Sequence, residues 1–104
     1  MKSIIQKDLN TCFLCGQPAS ELHHIFGGAM RKKSDKLGLT VRLCHDCHNE
    51  PQKPGVHSGG VHFNRAKMDY LHRVGQRAAM KHYGWTVDEF RREFYKNYLE
   101  ENEC

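Results

Sequence analysis

The apolar positions of this 104-residue chain fall into two regimes. Up to about residue 60 the large apolar residues come singly or in pairs, and beyond it they recur at helical spacing. Residues 39–44 alternate apolar and polar side chains, which predicts a strand with Leu39, Val41 and Leu43 facing inward. Residues 21–26 predict a partner strand, broken by Gly27 and Gly28. Ile4 and Ile5 carry weak strand character, residues 17–20 read as a turn, and residues 29–38 read as a basic loop. Asn64 suits the N-cap of a long helix reaching His82 or Tyr83, with Gly84 as its C′ residue. Met68, Leu71, Gly75, Ala78 and His82 form its stripe, and Gly75 there would permit close packing against a neighbour. A last helix begins at Thr86, where Glu89 completes a capping box and Trp85 and Phe90 make a hydrophobic staple. Phe90, Phe94 and either Tyr98 or Leu99 carry its apolar face to about residue 99.

So sparse a first half buries little apolar surface, and small cores usually need a disulfide, a metal or a partner. The cysteines supply the second option. Cys12 and Cys15 form one Cys-x-x-Cys pair, Cys44 and Cys47 another, and Gly16 can take the positive φ that follows a zinc knuckle. Each pair presents two thiolates from one turn, and two pairs complete a tetrahedral zinc shell. A structural zinc of this kind contributes roughly 10–16 kcal/mol of apparent binding energy, more than the net stability of many domains. A disulfide or redox pair is the competing reading. It is disfavoured because the N-terminus has no long apolar run, so a cytoplasmic chain with reduced thiols is expected, without a membrane span. His23, His24 or His48 could replace a cysteine, although nothing in the spacing requires it. Cys104, the last residue, reads as an incidental thiol.

Charge narrows the partners. The net charge is +4. Arg31, Lys32, Lys33, Lys36 and Arg42 stand against Asp35 alone, and a second basic run spans residues 65–82, whereas the tail from Thr86 is acidic. Two basic segments flanking a histidine-rich centre suit a polyanion such as nucleic acid. Six of the eight histidines lie between residues 23 and 62, which argues against scattered surface histidines. Imidazole titrates near neutrality, so a histidine can accept a proton from water or ligate a metal at cellular pH. Strand alternation would point His23 and His24 to opposite sides, so a bend after His23 is expected if both serve one site.

Paired cysteines, then Glu21-x-His23-His24-Ile25, a Gly27-Gly28 loop with basic residues, and Leu43-Cys44-x-x-Cys47-His48 together resemble the HNH endonucleases of the ββα-metal superfamily. The matching stretch covers about residues 12–57, roughly half the chain. The resemblance implies one divalent cation, Mg²⁺, Mn²⁺ or Zn²⁺, held between a β-hairpin and the following short helix. It implies His24 as general base, His23 and His48 as ligands of that cation, and hydrolysis of DNA that leaves a 5′-phosphate. A further ligand usually follows His48 by one helical turn; Gln52 stands there, so His57 is the nearest replacement, with His62 behind it. The family's central asparagine is also absent. Leu39 and Thr40 occupy its place, and Thr40 is expected to supply part of its bracing.

The resulting expectation is an α+β protein: a zinc-stapled ββα-metal (treble-clef-like) core over residues 1–61, with a helical extension over residues 62–104 packed on it. Cys12, Cys15, Cys44 and Cys47 would hold the structural Zn²⁺; His23, His48 and His57 the catalytic cation; Arg31, Lys32, Lys33 and Arg42 the DNA phosphates. The aromatic stripe of the tail suits a homodimer or a protein partner. The alternative function is a non-catalytic zinc module that binds nucleic acid or protein.

Overall fold

The computed structural model describes residues 2–50 and 59–99. The predicted hairpin is present as two antiparallel strands, β1 (Glu21–His24) and β2 (Thr40–Leu43), with His23 opposite Val41 and His24 opposite Thr40. Leu39, Val41 and Leu43 are fully buried, as the alternation requires. Ile4 and Ile5 form no strand. They lean on the core beside the hairpin, held by the Ile4 amide on the Gly38 carbonyl (2.9 Å) and by Ser3 Oγ on the Thr40 carbonyl (2.6 Å).

The segment expected to be a basic loop is instead a 3₁₀ turn (Gly28–Met30) running into a short helix, α1 (Arg31–Lys36). Its inward residue is Ser34, fully buried, which is why no apolar period betrays it. Ser34 Oγ accepts from the Phe26 amide (3.2 Å) and donates to the Leu39 carbonyl (2.8 Å), tying the exit of β1 to the entry of β2. The bracing expected of Thr40 therefore comes from Ser34.

Both knuckles lie at the far end of the hairpin. Gly16 has φ 79°, and the Phe13 amide donates to the Arg42 carbonyl (2.9 Å), joining the first knuckle to β2. The helix expected after Cys47 starts earlier. Cys44 is the N-cap of α2 (His45–His48), a single turn that ends at His48. Pro51, Gln52, Pro54, His57 and Cys104 lie outside the described residues. A 3₁₀ turn (Val61–Phe63) leads into α3 (Arg65–Tyr83), whose N-cap Asn64 accepts from the Lys67 amide and whose cap Gly84 is left-handed.

The buried face of α3 is Leu71, Gly75, Gln76 and Ala79; His82 is exposed, so the stripe runs one position off the predicted one at its C-terminal end. A Cβ on Gly75 would lie 2.7 Å from Ile25 and 3.0 Å from Phe26, so glycine is what lets α3 reach the end of β1. Thr86 caps α4 (Val87–Phe94), the Glu89 amide donating to Thr86 Oγ1 (3.2 Å), while the Glu89 carboxylate meets the Thr86 hydroxyl (3.3 Å) in place of the backbone bond of a full capping box. Trp85 stacks on Tyr83, ring centroids 5.1 Å apart. The helix stops five residues short of the expected end, because Tyr95 turns left-handed at φ 65°. Residues 96–99 fold back instead, clasped by buried Gln76, which accepts from the Tyr98 amide (2.7 Å) and donates to Asn97 (2.8 Å). Phe26, Phe90, Phe94 and Tyr98 form one aromatic cluster joining hairpin to tail. The architecture is α+β: a two-stranded hairpin, short helices, a four-cysteine cluster and two C-terminal helices. No described helix is long and apolar enough to cross a membrane.

Candidate metal centres

The sulfurs of Cys12, Cys15, Cys44 and Cys47 all lie within 4.8 Å of one another, and those of Cys15 and Cys44 are 3.5 Å apart. Zn–S bonds of about 2.3 Å at tetrahedral angles separate sulfurs by about 3.8 Å. Four thiols so close do not ionise independently. Burial pushes Cys12 up, but amides of Cys44, Cys15 and Leu14 outweigh it and hold this thiol at about 7. Burial and the neighbouring sulfurs push Cys47 up, and burial pushes Cys15 up. A divalent cation resolves the conflict by taking all four as thiolates and releasing their protons. The geometry fits a structural zinc.

A second cluster forms where β1, α2 and the turn before α3 meet. Ligand atoms of His23, His48 and His62 lie within 4.8 Å of one another, and His48 Nε2 is 3.1 Å from His62 Nε2. Metal–imidazole bonds of about 2.0–2.1 Å separate ligand nitrogens by roughly 3.0–3.4 Å. His48 is oriented by Glu21, whose Oε1 lies 2.8 Å from Nδ1. A carboxylate only accepts, so the proton sits on Nδ1 and the Nε2 lone pair faces His62. Glu21 also binds Asn49 Nδ2 (3.0 Å) and His45 Nδ1 (3.0 Å), and these histidine and amide contacts hold its carboxyl below the usual range. The third member, His23, is 3% exposed, and its Nε2 has no hydrogen-bond partner among the described residues. Burial, aided by the neighbouring histidines, holds His23 down at about 3, so it stays neutral and able to ligate. A buried orphan nitrogen beside two converging imidazoles is the donor set a divalent cation satisfies.

The chain closes this cluster through Gly60. A Cβ there would lie 2.6 Å from the His48 carbonyl carbon, and the Gly60 amide donates to the Glu50 carbonyl (2.8 Å). Glycine allows the returning chain to lie on the backbone of α2 and deliver His62. Sequence reasoning ranked His62 behind His57; the structure places His62 with His23 and His48, while His57 is outside the described residues.

His24 remains in the strand, so the expected bend after His23 is absent. None is needed, because a cleft of about 250 Å³ runs across β1 and takes in both rings, with Gly27, Gly28, Arg31, His48 and His62. The basic residues divide. Arg31 edges this cleft, and Lys32 lines an adjoining one with Leu22, His24 and Asp35. Arg42, opposite Leu22 on β2, lines a groove on the same side with Lys2 and Asp35. Lys33 turns away: its Nζ donates to the Glu93 carbonyl (2.7 Å) and lies over the Phe94 ring, fastening α1 to α4.

No family model, no curated protein and no solved structure matches the chain. The site is therefore read from its own geometry: a four-cysteine cluster that fits a zinc ion, and a histidine triad able to hold a metal in an open cleft.

Proposed function

We propose that the chain is a metal-dependent endonuclease that hydrolyses DNA phosphodiester bonds, leaving a 5′-phosphate. The observation that carries this reading is the convergence of His23, His48 and His62 beside His24, in a cleft edged by Arg31. Three protein ligands leave coordination positions open, as catalytic sites do and structural sites do not. A bound divalent cation supplies charge stabilisation to a phosphate and its leaving oxygen. The residues of the chain do the rest. His24, whose ring is 14% exposed, accepts a proton from the attacking water. Arg31, with Lys32 and Arg42 on the same side, holds the phosphate backbone. The cysteine cluster fixes the two knuckles, and through them the position of α2 and His48.

Relaxation of supercoiled plasmid by the purified protein, with Mg²⁺ or Mn²⁺, tests the reading. Nicking abolished by EDTA and by His24→Ala supports it. No nicking by folded protein holding both metals favours the non-catalytic binding module. Cleavage that survives His24→Ala removes His24 as the base.

A further inference from the structure

His24 stands between two openings. One side of its ring meets the cleft of His23, His48 and His62, and the other meets an adjoining cleft of Leu22, Arg31, Lys32 and Asp35. On that second side its Nε2 lies 3.4 Å from Asp35 Oδ1. This is the one described partner of the ring; Nδ1 has none among the described residues.

We propose that Asp35 is the positioning residue for His24. The inference rests on the nuclease reading only for its kinetic consequence. A carboxylate accepts and cannot donate, so Asp35 places the His24 proton on Nε2 and leaves the Nδ1 lone pair for the water. As the water oxygen bonds to phosphorus, its proton passes to Nδ1 and the bond from phosphorus to the leaving oxygen breaks. The imidazolium so formed then faces the Asp35 carboxylate, and its Nδ1 proton is afterwards returned to the leaving oxygen or to solvent. At 3.4 Å the two groups are in ion-pair contact rather than hydrogen-bonded, and on this proposal the contact tightens when substrate closes the site.

The surroundings make a surface role a poor account of Asp35. It is the one acid in a basic segment, on the side lined by Arg31, Lys32, Arg42 and Lys2. There its charge opposes binding of a polyanion.

The fold supplies the pairing. Asp35 lies on α1, and Ser34, next to it, is locked between Phe26 and Leu39. The buried serine thus fixes the register of α1 against the hairpin, and with it the distance from Asp35 to His24.

Two measurements on the metal-loaded full chain test this, using Asp35→Ala and Asp35→Asn. Asp35 is 57% exposed, so neither substitution disturbs the core. Nitrogen-15 spectra of the histidine rings read the His24 tautomer without any substrate. The expected result is the Nε2–H form alone in the native chain and a mixture with the Nδ1–H form in Asp35→Ala. Plasmid cleavage reads the second consequence: kcat falls roughly ten- to a hundredfold in Asp35→Ala, KM does not rise, and Asp35→Asn, which keeps an acceptor oxygen, recovers part of kcat. A tautomer unmoved by Asp35→Ala overturns the proposal. So does unchanged kcat with lower KM, the signature of a mere surface charge. Native protein that holds the Nε2–H form but cleaves nothing overturns the nuclease reading while supporting the Asp35–His24 contact.

Discussion

His48 and His62 stand 14 residues apart in the chain, yet their Nε2 atoms are 3.1 Å apart. One nitrogen is aimed by Glu21, and the other arrives because Gly60 lies directly on the His48 backbone. Gly60→Ala should force that backbone to shift and part the two rings. Affinity for the second metal should fall by roughly tenfold or more, while the four-cysteine zinc stays bound. Calorimetric titration of the zinc-loaded variant with Mn²⁺ checks this.

The zinc should behave as part of the fold. Replacing Cys44 by Ser removes one ligand from the cluster while leaving a good N-cap residue at the start of α2, so the change reads the metal alone. The expected outcome is loss of folded structure in the hairpin, seen by circular dichroism, with zinc release followed by a colorimetric chelator. Chelation of the native protein should do the same, because the binding energy is folding energy.

An aromatic joint links hairpin and tail. Phe90 is fully buried against Phe26 and Phe94. Phe90→Ala should cost about 3–5 kcal/mol, measured by urea denaturation of the zinc-loaded protein. Arg91→Ala, on the exposed side of the same helix, should cost little.

His72 gives the chain an acid-sensitive element that shares a cavity with His23 and His62. It stacks on Phe26 with centroids 5.5 Å apart, and burial, with smaller opposing and reinforcing charge effects, holds its pKa below the ordinary value of 6.5. The unfolded chain therefore takes up this proton before the folded chain does. Stability from His72 is full above the ordinary histidine pKa and is lost as pH falls below it. Thermal melts of the native chain should drop from pH 7 to pH 5, and His72→Gln should make that slope shallower.

Much of the site was legible because its residue types are tied to short-range rules. The Cys-x-x-Cys pairs name their own partners, the alternation over residues 39–44 sets the inner face of β2, and Asn64, Gly84 and Thr86 mark helix ends through local bonding. What stayed hidden depends on polar residues doing buried work. Ser34 turns an apparent loop into α1, and Gln76 draws Tyr98 back onto the core where a longer helix was expected. Neither contributes to an apolar period. Nearness in sequence favours His57 over His62; the close seat of Gly60 is a tertiary fact with no sequence period of its own. In the sequence Lys33 is one more cation of the basic run, and its bond to the Glu93 carbonyl is a tertiary contact that no local pattern marks.

The two clusters predict that one chain holds two metals for different reasons, a closed zinc in sulfur and an open cation among histidines. Metal content of purified protein, reloaded with Zn²⁺ and Mn²⁺ and then desalted, tests it most directly. About two metals per chain are expected, falling to about one in His62→Ala with the zinc retained. About one metal per chain in the native protein, with no second binding event on titration, would contradict the account and leave a zinc module without catalytic machinery.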